Sequence, residues 1–543
     1  MLVQRLALAA LAVLALAPTP LYAQLHGGAC PSPDAAAWPL DRGPHRPATH
    51  GREPRFIVKR VRVDGNTVIS SEELAGLVTH YQGKPHTLKE LSKLACGIEA
   101  LYRSRGYFLA RVYVPAQCVD DGIVRIVVVE GHHGRVLVEG NEFYTDRFIK
   151  EHFEPALKGG VFRRRQLERT MLLLNEVPDL KVQSVLVKGK QRGTTDVILK
   201  ACDTMPLHAG VDFNNYGSRM VGQNRAGLAF WGGNLAMDGD CMAVRGVLPF
   251  PSSSKPFTQA EYSVPAGKRG HRVSLQYSGA LTTLGKELAP LDIRGDAAVW
   301  GLTVLGPLAR SLSFRSDLVW GLMSKSVKNF LLGTVPMSHD ELRVMTIGYN
   351  SKRVDEDYRV VSSAWVTQGL GTLFGGMDSG SALASRVGAD NSFTKVNVDV
   401  TNLIMTGPHR VLVLRAAGQL ASEGLAVPEQ LSLGGADSVR GYVQSEYLGD
   451  EGYTLSAEFR FLLVGGDRHS LELAGFVDHG KAVREQPLPG ERGTMTLTGA
   501  GAGLRAVVFG STTARLDLGI PIRPDKNAEG KSLVIYAQVA SRF

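Results

Sequence analysis

Strict two-residue alternation is the feature that most constrains this chain, because it recurs from Thr204 to Phe543. The clearest stretch runs from Tyr453 to Phe461, where odd positions are apolar and even positions are polar or charged. Segments that begin at Leu207 and at Ala514 alternate in the same way. Since successive side chains of a strand point to opposite faces, each segment predicts one apolar face and one polar face. An apolar outside and a charged inside are typical of a transmembrane β-barrel with a water-filled lumen.

The alternating region divides into 16 predicted strands, an even number, as such barrels have. They begin near residues 207, 224, 240, 257, 271, 294, 312, 341, 358, 394, 409, 453, 469, 493, 512 and 531. The competing soluble fold is a large β-sandwich or propeller. Against it, no propeller-type repeat is present, and many segments run for ten or more residues, longer than most globular strands. A helical membrane protein is excluded because no apolar run beyond the N-terminus is long enough to span a bilayer.

Two copies of a mixed α+β unit precede the predicted barrel. The first, residues 56–131, reads as strand, helix, helix, strand, strand, and capping-box patterns at Ser70 and Thr87 predict its helix starts. The second, residues 132–203, repeats this order. The heptapeptide VRVDGNT at Val61 recurs as VLVEGNE at residue 136, an offset of 75 residues. An echo at that distance predicts two domain-sized repeats.

The first residues predict export from the cytoplasm. Arg5 precedes an apolar run that is too short to span a bilayer, and the small residue Ala23 lies before a predicted cleavage site. We interpret residues 1–23 as a signal peptide, with an uncleaved anchor as the alternative. Residues 24–55 are rich in Pro, Gly, His and Ala and are predicted to form a linker.

Export would place the cysteines where disulfides persist. Cys96 and Cys118 lie in one unit and form a possible disulfide, although sequence cannot fix its geometry. The pair His132-His133 has no third ligand at a known spacing, so no metal site is predicted. No phosphate-binding loop is present, and the net charge of +9 is scattered, which favours a solvated surface over a nucleic-acid site.

The stretch from Leu431 to Tyr442 carries one fixed cation, Arg440, in a long connection between predicted strands 11 and 12. A buried guanidinium requires a carboxylate, because its planar donors are costly to desolvate without an acceptor. Asp478, in predicted strand 13, is the best candidate. We therefore predict that Arg440 is neutralised by Asp478 on the barrel wall.

Several features together resemble the Omp85 superfamily. Two tandem units precede a barrel, Val439-Arg440-Gly441-Tyr442 lies in the long connection, and the motif with Phe476, Asp478 and Gly480 lies in strand 13. Two units, rather than one, three or five, resemble the two-partner secretion transporters of the haemolysin-activator and filamentous-haemagglutinin type. The last strand, with Tyr536 and a terminal Phe543, resembles the insertion signal of outer-membrane barrels.

This resemblance implies two periplasmic POTRA domains, residues 56–131 and 132–203, followed by a 16-stranded antiparallel transmembrane β-barrel. The loop at 423–452 is expected to fold into the lumen. The implied function is an outer-membrane pore that captures an unfolded exoprotein, a large adhesin or cytolysin, and translocates it without nucleotide or cofactor. Outer-membrane lipid and the barrel-assembly machinery are the other implied partners, and nucleic acid is not one.

Two alternatives stay open at this stage. An assembly or insertase factor for outer-membrane proteins belongs to the same superfamily. A barrel enzyme is a different class, but the strands do not bring together a Ser, a His and an Asp on one side, so no catalytic residue is predicted. The plug helix that resembling proteins place before the first POTRA domain is not evident in residues 24–55.

Overall fold

A computed structural model describes residues 54–252, 254–522 and 530–543 of the chain. The predicted signal peptide, most of the predicted linker and any plug helix lie outside these residues. Within them, one compact unit ends at Thr204 and a second begins at Met205. The helices in this part of the chain are all too short or too polar to cross a membrane.

The first unit contains two three-stranded sheets, each accompanied by two α-helices. The elements are β1 Phe56–Val58, β2 Arg60–Asp64, α1 Ser71–Val78, β3 Lys84–His86, α2 Leu88–Ser104, β4 Arg111–Tyr113, β5 Ile123–Val129, β6 His132–Glu139, α3 Asp146–Phe153, α4 Arg164–Leu174, β7 Leu180–Lys188 and β8 Thr194–Asp203. The sheet orders are β2-β5-β4 and β6-β8-β7, with the first pair of each sheet parallel and the second antiparallel. A separate two-stranded ladder, β1 with β3, was not predicted.

The repeated Gly-Asn turn has the same geometry in both sheets. Gly65 and Gly140 adopt φ angles of +90° and +88°, which favour glycine. A Cβ atom would lie 2.3 Å from the carbonyl oxygen of Val128 at Gly65, and 2.5 Å from that of Ala201 at Gly140. Each turn therefore crosses the central strand of its sheet at a distance that only glycine allows.

A buried carboxylate closes each of these turns. Glu130 accepts hydrogen bonds from the backbone N–H groups of Thr67 and Val68 and from the Tyr102 hydroxyl, at 2.6 to 3.0 Å. Asp203 accepts from the backbone N–H groups of residues 142–144, each at 2.8 Å. Burial alone would raise the pKa of both carboxyls, but the hydrogen bonds outweigh it, and the pKa of each is lowered. The two repeats thus share a buried, hydrogen-bonded carboxylate at this turn as well as a topology.

The second unit is a closed barrel of 16 antiparallel strands, as predicted from the alternation. The last strand of the barrel closes against the first, with residues 538–542 opposite residues 214–210. Its strands are β9 Leu207–Asn214, β10 Asn224–Gly233, β11 Cys241–Phe250, β12 Phe257–Pro265, β13 Arg272–Thr283, β14 Arg294–Arg310, β15 Phe314–Leu331, β16 Val335–Val354, β17 Tyr358–Gly369, β18 Thr394–Gly407, β19 Arg410–Ala421, β22 Glu451–Gly465, β23 Ser470–Val483, β24 Thr494–Val508, β25 Thr512–Pro521 and β26 Val534–Arg542. A short ladder, β20 Leu431–Leu433 with β21 Tyr447–Gly449, lies within the connection between β19 and β22.

The faces of the strands agree with the alternation. In β22 the apolar residues Leu455 and Phe459 are 48% and 45% exposed on the outside, whereas Glu458 is buried on the inside. In β25 Leu518 is exposed and Asp517 is buried in the same way. The exposed apolar surface fits a lipid bilayer and the charged surface fits a lumen.

The two ends of the barrel differ in their connections. At one end the strands are joined by short turns, such as residues 311–313, 355–357 and 509–511, and we call this the short-turn end. The longest connections, residues 370–393 and 422–450, lie at the opposite end, the long-loop end. Outer-membrane barrels have short periplasmic turns and longer extracellular loops.

The possible disulfide is not formed, since Cys96 and Cys118 are both free thiols. Cys96 lies on the exposed face of α2, whereas its neighbours Leu94, Ala95 and Ile98 turn inward to the core. Cys118 lies in the exposed segment after β4. Helical periodicity therefore directs one thiol to solvent, and shared membership of a domain did not bring the second thiol to it.

Candidate functional site

The connection between β19 and β22 folds back into the barrel and positions the predicted cation. Arg440 is 2% exposed, although it lies on a loop rather than on a strand. The loop residues Val439 and Tyr442 are buried with Leu433 against Ala482 and Leu497 of the wall. Packing of these apolar side chains holds the tip of the loop against the inner surface of the barrel.

Arg440 and Asp478 form a two-point ion pair. The Nε and Nη2 atoms of Arg440 donate to the two carboxylate oxygens of Asp478, at 2.7 and 2.9 Å. The backbone N–H of Arg440 donates to the same carboxylate at 3.1 Å. Paired donors on a planar guanidinium match a carboxylate and fix its orientation. The geometry thus attaches the loop to β23 through both side chain and main chain.

Phe476 contributes to the same contact. Its ring centroid lies 3.4 Å from the central carbon of the Arg440 guanidinium, so the cation stacks on the aromatic face. Phe476, Asp478 and Gly480 are two residues apart along β23 and therefore share the inward face. The two-residue spacing of this motif therefore arises because all three residues must face the lumen from one strand.

The glycines of both motifs allow close approach. A Cβ atom on Gly480 would lie 2.6 Å from Cδ1 of Leu433 and 3.1 Å from Cγ2 of Val439, both on the loop. Gly441 adopts a φ angle of +102°, and a Cβ there would lie 2.7 Å from the carbonyl carbon of Ile520. A side chain at either position would push the loop away from the wall.

Further glycines, which were not predicted as site residues, form a surface beneath the loop. A Cβ on Gly499 would lie 1.8 Å from the carbonyl oxygen of Arg440, and one on Gly519 would lie 2.5 Å from the backbone nitrogen of Gly441. A Cβ on Gly501 would lie 2.5 Å from Cζ of Phe476. Glycines inside a strand mark close backbone approach, so the alternating glycines of β24 were a usable signal.

Two more carboxylates that surround Arg440 were also missed as partners. Glu458 accepts from Nη1 of Arg440 at 2.6 Å, and Asp517 lies 3.5 Å from the same atom. Three further arginines balance these carboxylates at 2.7 to 2.9 Å, namely Arg460 and Arg505 on Glu458 and Arg515 on Asp517. Asp478 differs from these two carboxylates, because among the described residues it forms an ion pair with Arg440 alone. The alternation placed these charges on the inner face, but only barrel closure brings them together.

Tyr536 and Phe543 are the aromatic residues of the predicted insertion signal, which stays a prediction. An odd separation of seven residues directs their side chains to opposite faces of the barrel wall. Tyr536 is buried in the lumen, where its hydroxyl accepts from the N–H of Gly441 at 3.0 Å and donates to the carbonyl of Tyr442. Phe543 is exposed on the outside, and its backbone pairs with Ala209 across the closing seam. Tyr536 is therefore a fastening point for the loop.

A second set of contacts ties the loop near the long-loop end. Asp450 is fully buried and pairs with Arg386 of the 370–393 connection. It also accepts from the N–H groups of Leu425 and Glu485, at 2.9 and 2.7 Å. Three connections therefore converge on one carboxylate at this end of the lumen.

The arrangement holds a loop in place. Among the described residues, no group of three or more His, Cys, Asp or Glu side chains could hold a metal ion. The charged side chains around Arg440 are engaged with one another. Together these contacts attach the lumenal loop to five consecutive strands, β22 to β26.

Comparisons with known proteins agree on one family. A family model described as haemolysin secretion/activation protein ShlB/FhaC/HecB matches residues 193–506, and one described as POTRA domain, ShlB-type, matches residues 56–131. The heme/hemopexin transporter protein HuxB of Haemophilus influenzae is 22% identical over 88% of this chain and 86% of its own length. The outer membrane transporter CdiB of Escherichia coli is 26% identical over 93% of this chain and 86% of its own.

Solved structures share the fold. CdiB from Escherichia coli superposes with a TM-score of 0.75 at 24% identity, and covers 94% of both chains. BamA from Haemophilus ducreyi, lacking POTRA domains 1-3, superposes with a TM-score of 0.51 at 15% identity, over 90% of this chain and all of the other. These likenesses concern architecture alone.

Proposed function

The chain belongs to the haemolysin secretion/activation family ShlB/FhaC/HecB, and we propose that it serves a dedicated exoprotein that crosses its barrel unfolded. As a family member it is an outer-membrane transporter of two-partner secretion, with its POTRA domains in the periplasm. The short-turn end of the barrel is accordingly periplasmic. We assign residues 1–23 to the signal peptide, 24–55 to a linker, 56–131 and 132–203 to the POTRA domains, and 204–543 to the barrel.

The tethered loop is the observation that supports passage through the lumen. A barrel of 16 strands is wide enough to hold an aqueous channel, and here the loop occupies part of it along strands β22 to β26. The attachments at Arg440, Gly441 and Tyr442 are made with side chains of the wall rather than by strand pairing, so the tip of the loop and the wall are separate elements. A client chain would pass beside the loop, with Arg440 and Asp478 fixing the position of the loop.

Capture of the client is assigned to the POTRA domains. Each sheet has an unpaired edge among the described residues, and β7 is a nine-residue edge strand. An extended segment can add to such an edge through main-chain hydrogen bonds, which suits clients of varied sequence. The client is proposed to be a large adhesin or cytolysin, in line with the hemolysin transporter protein HpmB of Proteus mirabilis, a relative named for its cargo.

Transport of this kind would need no catalytic step and no cofactor. Energy for transport would come from folding of the exoprotein outside the cell. Outer-membrane lipid would surround the apolar face, and the barrel-assembly machinery would insert the chain, with Phe543 as part of the signal. The alternative of an assembly factor is less well supported, because the family match is to secretion proteins and the likeness to BamA concerns fold alone.

Deletion of the chain and comparison of culture supernatants tests the proposal. One large secreted protein should disappear from the supernatant and return with the wild-type chain. The abundance of other outer-membrane barrels should stay unchanged. If no secreted protein is lost, or if several barrels are depleted together, the chain does not act as a dedicated secretion pore.

A further inference from the structure

Three cations are directly opposite one another at the short-turn end of the barrel. Arg310 of β14 is opposite Arg315 of β15, and Arg315 is opposite Lys352 of β16. Lys352 is in turn opposite Val361 of β17. Arg359 lies two residues before Val361 on the same strand and therefore on the same face. We call Arg315, Lys352 and Arg359 the basic row.

The basic row faces the lumen. Trp320 of β15 and Tyr349 of β16 are exposed on the lipid face. Arg315 lies five residues from Trp320, and Lys352 lies three residues from Tyr349. Both separations are odd, which places the two cations on the opposite, inner face. Val366 is likewise exposed outside on β17, seven residues from Arg359.

The basic row has no counter-charge. Arg310 is buried and donates to Asp317 at 2.6 Å, but no carboxylate of the described residues is within ion-pair distance of the three row members. The turn at 355–357 carries three acidic residues, and none of these pairs with the row. Like charges directly opposite on neighbouring strands are destabilising. The chain therefore holds three unpaired cations at the periplasmic entrance of the lumen, of which Arg315 and Arg359 are exposed and Lys352 is half-buried.

We propose that the basic row contacts an acidic segment of the client as it enters the barrel. This inference rests on the transport function proposed above. Neighbouring strands are about 4.8 Å apart, and an extended chain repeats its side chains on one face about every 6.8 Å, so successive carboxylates could reach successive cations. Complementary charge would speed the encounter and select the orientation of the entering segment.

Charge favours a client segment over other occupants. Lipid headgroups meet the outer face of the barrel, whereas the row is on the inner face. The chain's own residues 24–53 carry three acidic residues and three arginines, so they have no excess of negative charge to match the row. A carboxylate-rich stretch of a separate polypeptide is the complementary partner.

Binding of a labelled decaglutamate peptide to the full-length protein in detergent tests the row. The variant carries Arg315→Gln, Lys352→Gln and Arg359→Gln together, and the matched control is Arg353→Gln, the next residue on β16 but on the outer face. Fluorescence anisotropy at about 50 mM and about 150 mM salt measures affinity, since screening weakens exposed charge contacts. Labelled decalysine controls for charge sign.

The triple variant should bind decaglutamate about tenfold more weakly than the wild type, about two- to threefold for each cation of the row. The single variant Lys352→Gln should lose about twofold, and Arg353→Gln should bind as the wild type does. Equal binding by the triple variant, or an equal loss in Arg353→Gln, would overturn the inference. Such a result leaves the transport assignment intact, because that assignment depends on the supernatant comparison.

Discussion

Arg440 with its carboxylates Asp478, Glu458 and Asp517, which we call the Arg440 cluster, and the basic row are two charged groups inside one barrel, and their environments are opposite. Arg440 is buried, stacked on Phe476 and paired with Asp478. Arg315 and Lys352 face each other without a carboxylate. A buried cation must be neutralised because its desolvation is costly, whereas an exposed one can stay available to a partner. The first group therefore builds structure, and the second is suited to binding.

Arg440→Ala should have the largest effect on the attachment of the loop. It leaves Asp478 buried without a cation, whereas Asp478→Ala leaves Arg440 still paired with Glu458 at 2.6 Å. Breaking a buried pair costs about 3 to 5 kcal/mol. Hydrogen exchange of residues 431–450 should accelerate strongly in Arg440→Ala and less in Asp478→Ala. Equal protection in Arg440→Ala and the wild type would contradict the tether.

Gly480→Ala should have the second-largest effect on the attachment of the loop, because the added methyl group contacts the loop at Leu433 and Val439. Overpacking of this kind costs about 1 to 3 kcal/mol. Gly475→Ala is the matched control, since a Cβ at Gly475, on the same strand, has no atom within 4 Å. Urea unfolding midpoints should fall for Gly480→Ala only. A similar fall in both variants would show a general strand effect instead.

Tyr536→Phe should have a smaller effect. It removes the hydroxyl that bonds Gly441 and Tyr442 and leaves two buried backbone groups without that partner, at about 1 to 2 kcal/mol. The control is Tyr216→Phe, because the buried Tyr216 hydroxyl has no hydrogen-bond partner among the described residues. Loop exchange rates should rise in the first variant and stay constant in the second. The reverse order would remove Tyr536 from the tether.

Lys352→Gln should have the smallest effect on stability. It relieves repulsion from Arg315 and breaks no ion pair, so the unfolding free energy should change by less than about 0.5 kcal/mol or rise slightly. Urea unfolding of the full chain measures this. A loss as large as that of Gly480→Ala would mean that the row is a structural cluster like the one around Arg440.

The parts of the molecule that depend on local pattern could be predicted from the sequence. Alternation identified the strands of the barrel and the inward face of Glu458 and Asp517, because a strand fixes the side of each residue. The Gly-Asn repeat identified the two α+β units. Contacts between distant segments could not be predicted from local pattern. The approach of Gly499 and Gly519 to the loop, for example, depends on barrel closure.

The possible disulfide failed for a physical reason. Cys96 and Cys118 were paired because they share a domain, but the helix directs Cys96 to solvent. Nearness along the chain was used there in place of side-chain direction.

Secretion by Arg440→Ala and Asp478→Ala, each in a barrel shown to be folded and inserted, tests the role of the tether most directly. The amount of the partner exoprotein in the supernatant is the measurement. We predict that both variants secrete much less than the wild type and that Arg440→Ala is the weaker of the two. Wild-type secretion by both variants would contradict a role for the Arg440–Asp478 pair in transport.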